Sequence, residues 1–155
     1  MGRVKMMGVE QAERYLKRLQ GGVQAIGGKR VLAGTDVEHA WGIEFGRKRN
    51  GGLARKAGGS FALSHAYREV KGRILPEMRA ALLTDPGQLL STLIALGMDV
   101  VTGTKQRLLE RVYSRPIPRT RSGRPKWRRT RTLSRSYHVE VESSGLRSMY
   151  RAGGN

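Results

Sequence analysis

Cysteine is absent from this chain of 155 residues. Neither a disulfide framework nor a thiolate metal site is therefore available. Long apolar runs are missing too. The best stretch, residues 89–101, is broken by Ser91, Thr92, Gly97 and Asp99. It falls short of the roughly 18 apolar residues that a membrane-spanning helix needs. The opening residues, MGRVKMMGVEQAERYL, lack the apolar centre of a secretory signal. The expectation is a chain made in a cytoplasm, with no membrane partner.

Catalytic groupings are also lacking. His39, His65 and His138 fall in three different expected elements, with no ligand spacing between them. His39 and Glu44 are five apart, which does not bring them to one helix face. GVQAIGGKR has the glycines of a phosphate loop but not its pattern. A glycine five residues before Gly28 is replaced by Val23, and Arg30 stands where a hydroxyl residue belongs. The sequence therefore points away from an enzyme and names no cofactor and no metal.

Acidic residues are scarce, and two segments have none. The chain carries 30 Lys and Arg against 12 Asp and Glu, a net charge of +18. Residues 114–137, SRPIPRTRSGRPKWRRTRTLSRSY, supply nine of the basic side chains. Residues 46–56, GRKRNGGLARK, supply five more, leaving 16 basic against 12 acidic elsewhere. A nearly neutral body thus carries two strongly positive loops, a distribution that favours a polyanionic or acidic neighbour.

Periodicity organises the rest. Val9, Ala12, Leu16 and Leu19 recur at helical spacing, and Gly21-Gly22 reads as that helix's end. VQAI and KRVLAGT flank Gly27-Gly28 and read as a hairpin, since glycine accepts the positive φ of a tight turn. Thr35 or Asp36 caps a short helix, VEHAWGIEFG. Residues 61–83 form a helix with Leu63, Tyr67, Val70, Ile74, Met78 and Leu82 on one side. Gly72 and Pro76 predict a kink or break near Leu75. Thr84-Asp85-Pro86 reads as a stop and restart. A long helix over 86–113 then buries Leu90, Leu93, Ile94, Gly97, Val101, Thr104, Leu108 and Val112, with Gly97 open to a close approach.

Pro116, Pro118 and Pro125 keep the basic segment out of helices and central strands. SYHVEVE alternates as a half-buried strand able to pair with the hairpin. The fold class is α+β: a small antiparallel sheet packed against one long helix, with extended basic loops. The expected organisation is a single domain over 1–142 with mobile loops at 46–60 and 114–131. A C-terminal tail at 143–155 follows, from which Leu146, Met149 and Tyr150 can dock on a neighbour.

The basic residues allow three uses. Arginines neutralise phosphates and Trp127 offers a stacking platform for a base, yet no known recognition module is visible. Arginine and tryptophan equally suit a protein interface. The third use is a solvated loop.

The order of motifs resembles that of a bacteriophage family. RVLAGTDVEHAWGIEFG, then GGSFALSHAYREV, a long helix, and PIPRTRSGRPKWRRTRTLSRSYHVEV are similar to the neck, tail-completion and minor tail proteins of long-tailed phages. Ala33-Gly34, His39-Ala40 and Glu44-Phe45-Gly46 match the first family segment. Gly59-Ser60-Phe61-Ala62 stands where the family has Arg-Pro-Phe-Leu. Thr130 to Ser136 match the segment before the last strand, without its glycine. The likeness spans Val31 to Val141. It implies a structural virion protein that assembles as a homo-oligomeric ring at the head–tail junction or tail end. The implied partners are other neck, connector or tail proteins and DNA in the lumen. Intersubunit or DNA-facing roles then fall to Arg47, Lys48, Arg49, Arg115, Arg119, Arg121, Arg124, Lys126, Trp127, Arg128, Arg129 and Arg131. The alternative is a stand-alone nucleic-acid-binding protein.

Overall fold

A computed structural model describes residues 3–37, 40–45, 60–117, 119–125 and 132–151. Helix α1 spans Arg3–Ile26 and is followed by strand β1, Lys29–Gly34. The short helix α2 covers Ala40–Phe45 and α3 covers Ala62–Thr84. A single 3-10 turn at Pro86–Gln88 leads into α4, Leu89–Leu108, which runs on through a π-helical turn at Leu109–Tyr113. The chain closes with α5 (Thr132–Ser136), β2 (His138–Ser143) and β3 (Leu146–Tyr150). The architecture is α+β, with a three-stranded antiparallel sheet ordered β1-β2-β3. No helix among the described residues is long and apolar enough to cross a membrane.

The sheet lies on α4, which packs against β1 and β2, while α3 packs alongside α4. Val31 pairs with Val141 and Ala33 with Val139. Cross-strand partners share a face, so these four side chains form the surface turned to the helix. A Cβ on Gly97 would lie 3.2 Å from Val139 and 3.4 Å from Val31. The expected close approach at Gly97 is thus the sheet resting on the helix. Val101, Leu108, Leu133, Tyr137 and Val139 form one part of the core; Ala66, Val70, Leu96 and Val100 form the other.

The restart at residues 84–86 is as read from the sequence. Asp85 caps the new turn by accepting from the Gly87 N–H at 3.1 Å, and Pro86 occupies its first position. Several other expectations are corrected. Gly21-Gly22 do not end α1, which continues to Ile26. Gly22 is instead a contact point, because a Cβ there would lie 2.0 Å from the Pro86 carbonyl oxygen. The first arm of the expected hairpin, VQAI, is the last turn of α1, and only KRVLAG is a strand. Gly28, at φ 68°, turns the helix end into that strand. Of the kink or break expected near Leu75, the break is absent, since α3 runs unbroken through Pro76.

The α3 stripe is also displaced. Its buried residues are Ala62, Ala66, Val70 and Ala81, while Tyr67 is exposed. Small side chains face α4 because the two helices approach closely. A Cβ on Gly103 would stand 3.2 Å from that of Ala66. On α1 the apolar residues Val9, Leu16 and Val23 are exposed. Beyond the expected tail boundary, Ser144 and Gly145 both take positive φ and close a hairpin that makes Leu146–Tyr150 a strand.

Candidate assembly surface

Three stretches far apart in the chain meet at one point: the end of α2, the start of α3 and the segment that leads into β2. Glu44, at the end of α2, is buried at 6% exposure. Its carboxylate accepts from the backbone N–H groups of Leu63 (3.1 Å) and Ser64 (2.9 Å) and from the Ser64 hydroxyl (2.7 Å). The first turn of a helix has N–H groups with no partner of their own. A carboxylate from α2 supplies that partner for α3, complementing the positive end of the helix dipole. The Ser60 N–H also donates to the Ile43 carbonyl at 2.7 Å, and Phe61 N–H to that of Glu44 at 3.0 Å. Phe45 and Phe61 meet edge to face at 6.1 Å. Phe61 takes a left-handed conformation, φ 46°, to make the corner.

A small cavity of about 190 Å³ adjoins this knot, lined by Gly34, Thr35, Ala40, Glu44, Leu63 and Tyr137 among others. Burial, with the charge of Glu44 and then Tyr113 adding to it, pushes the Tyr137 hydroxyl up to about 12. The carboxylate is already occupied as a helix cap. Its evident work is to hold both ends of the segment 46–59 together. Sequence reasoning missed this, because the cap and the helix it serves are separated by that segment.

The second basic segment also leaves and returns at a closed base. Tyr113 ends the long helical run, and its hydroxyl accepts from the Ser134 N–H at 3.3 Å. Leu133 of α5 is buried at 3% exposure and anchors the returning strand of chain. Between them, Arg119 and Pro125 form an isolated antiparallel bridge. Thr120 N–H donates to the Arg124 carbonyl at 2.7 Å, and Gly123, at φ 79°, makes the turn. The tip is a defined turn with Arg119, Arg121 and Arg124 exposed around it and Arg115 exposed at its base. Arg47, Lys48, Arg49, Lys126, Trp127, Arg128, Arg129 and Arg131 lie outside the described residues, as do most of 46–60 and the end of 114–131. Among the described residues, the structure brings together Arg119, Arg121 and Arg124 of those singled out.

A third feature is the offset between the two layers. Register places Leu146, Ser148 and Tyr150 on the same face as Val139 and Val141. That face is buried in β2, but every residue of β3 is exposed. The sheet thus extends past its helical cover by one strand. At the opposite edge the helices extend past the sheet. An apolar groove of about 410 Å³ opens beside β1, floored by Leu63, Tyr67, Val70 and Ile74 of α3 with Leu93 and Leu96 of α4. No strand among the described residues pairs with the outer edge of β1 or of β3.

Comparison with protein-family models, with curated proteins and with solved structures found no match to this chain.

Proposed function

We propose that this chain is a structural subunit that assembles head to tail into a ring, of the kind that forms the neck or tail-completion layer of a long-tailed phage. The observation that carries the reading is the layer offset. A β3 strand laid beside β1 of the next copy would continue the sheet and bring Leu146 and Tyr150 over the groove between α3 and α4. Unpaired edges template this kind of addition. The contact is heterologous, since two different edges meet, and heterologous contacts close into rings when the rotation permits. β1 and β3 each run antiparallel to β2. A ring that keeps one strand direction around its axis would therefore pair β3 with the neighbouring β1 in parallel.

The likeness to neck proteins supports the same role and supplies its setting: other neck, connector or tail proteins as partners, and DNA within the lumen. The basic tip then reaches either a neighbouring subunit or the DNA. The exposed arginines of the tip favour, as a second reading, a stand-alone nucleic-acid-binding protein. Neither role requires a catalytic group.

Light scattering coupled to size exclusion tests the proposal. Wild-type protein should form closed oligomers, and Tyr150→Glu with Leu146→Lys should leave a folded monomer with an unchanged circular dichroism spectrum. A wild-type chain that stays monomeric at high concentration and with its virion neighbours present overturns the ring. Rings that persist in the double variant overturn the edge contact.

A further inference from the structure

Away from that surface, the far side of the sheet gathers three metal-ligating side chains from two distant stretches of chain. Asp36, just after β1, and His138 and Glu140 on β2 each present one ligand atom, and these atoms lie within 4.8 Å of one another. His138 is buried at 4% exposure. Its register partner is Gly34, so no side chain on β1 opposes the ring.

The hydrogen bonds of the imidazole define what it offers. Nδ1 is 2.7 Å from the Ser136 carbonyl oxygen. A carbonyl only accepts, so Nδ1 carries a proton. In the neutral ring Nε2 is then a lone pair, buried and directed at Glu140 Oε1 (3.3 Å) and Asp36 Oδ2 (3.9 Å). Three acceptors converge on one point. Arg147 approaches the other Glu140 oxygen, Oε2, at 4.0 Å and leaves Oε1 to coordinate.

We propose that Asp36, His138 and Glu140 bind a zinc-class divalent cation. Metal-bound histidines commonly donate their second ring N–H to a backbone carbonyl, which fixes the tautomer and orients the ring. Bonds of about 2.0–2.1 Å in tetrahedral geometry separate ligand atoms by roughly 3.4 Å. The Nε2–Oε1 distance of 3.3 Å already meets that spacing. Asp36, whose side chain is 80% exposed, closes the remaining gap with a small swing. An imidazole donor selects zinc, cobalt or nickel over magnesium or calcium. Two carboxylates and a neutral imidazole balance the dication. The cation would clasp the segment after β1 to β2 and leave a coordination position for water. It serves the fold and is independent of ring assembly.

The competing arrangement is an imidazolium held by both carboxylates, which uses the same atoms without a metal. Full-length chain, stripped with chelator, separates the two when titrated with Zn²⁺ by calorimetry and with Co²⁺ by visible absorption. The expected result is one site per chain, d–d bands of low coordination number, and a raised thermal midpoint. The nitrogen resonance of His138 Nε2 should move to a metal-bound position. Asp36→Asn, which alters only an exposed side chain, should weaken Zn²⁺ binding by more than about tenfold, the loss that even an outer-shell partner can cause. His65→Gln should leave binding unchanged. Absence of saturable binding, equal affinity in Asp36→Asn, or an Nε2 that stays protonated with Zn²⁺ present would each overturn the site.

Discussion

The Glu44 carboxylate accepts both the backbone N–H and the hydroxyl of Ser64, at 2.9 and 2.7 Å, across the gap between two helices. Bonds to a charged acceptor are worth about 1.5–3 kcal/mol. Glu44→Ala should therefore lower unfolding free energy by about 2–3 kcal/mol, read from the urea midpoint at unchanged slope. Glu44→Gln should lose less, because one oxygen still accepts. A wild-type midpoint in Glu44→Ala would mean that the cap contributes nothing.

Tyr137 lies against the same carboxylate, and burial first, then the Glu44 charge, raises its hydroxyl to about 12. The unfolded phenol titrates near 10. Below that pH both states keep the proton, so there is no pH effect. Between about 10 and 12 the unfolded chain releases the proton while the folded one holds it, and stability falls as pH rises. Tyr137→Phe should flatten the loss of stability across this window. Absorbance titration should show Tyr137 ionising only as the pH approaches about 12.

How far the sequence disclosed this arrangement depends on how local each cause is. The restart at Asp85-Pro86 and the presence of a long helix depend on neighbouring residues, and both are as read. That helix, however, buries Leu89, Leu96 and Val100 in place of the expected Leu90, Leu93 and Ile94. So is the small α+β plan, since SYHVEVE carries its own alternation. The errors involve causes that lie far along the chain. A glycine pair inside a helix looks like a stop until Pro86 is seen against Gly22. The same holds for the displaced face of α3, whose small residues mark the close approach to Gly103. Asp36 and His138 are 102 positions apart, so their meeting had no sequence spacing to reveal it. Most of the basic residues singled out lie outside the described residues.

The glycine pair gives a paired prediction. A Cβ added at Gly21 would meet nothing within 4 Å, whereas one at Gly22 would meet the Pro86 carbonyl at 2.0 Å. Gly21→Ala should stabilise the protein by about 0.5–1 kcal/mol through helix propensity. Gly22→Ala should destabilise it, because backbone rather than a flexible side chain must move. Thermal midpoints that shift in the same direction for both variants would contradict the contact.

Helical spacing makes Leu108 and Leu93 equal members of one buried stripe, and the structure separates them. Leu108 has no exposure, while Leu93 is half-buried in the groove floor. Leu108→Ala should cost about 2–5 kcal/mol. Leu93→Ala should cost less in the monomer but weaken the proposed oligomer, where a neighbouring strand covers it. Urea melts at low concentration, paired with light scattering at high concentration, distinguish the two effects.

The arginine tip poses the final choice between holding a neighbour and holding DNA. Its turn is built from Thr120, Ser122, Gly123 and backbone groups, and of its three arginine side chains Arg119 alone adds a bond, to the Gly123 carbonyl at 3.3 Å. Arg121→Gln with Arg124→Gln should therefore leave monomer stability within about 0.5 kcal/mol, as surface changes do. A strap between subunits predicts that the same pair of changes disrupts rings. It also predicts that the two changes leave the salt slope of duplex DNA binding as in the wild type. A phosphate contact predicts the reverse: intact rings, and a log–log salt slope that becomes shallower by about 0.9 for each phosphate contact removed. The expected outcome is loss of the ring, because the closed turn presents its arginines from a fixed frame, as a protein groove requires. Intact rings with a shallower slope would assign the tip to DNA.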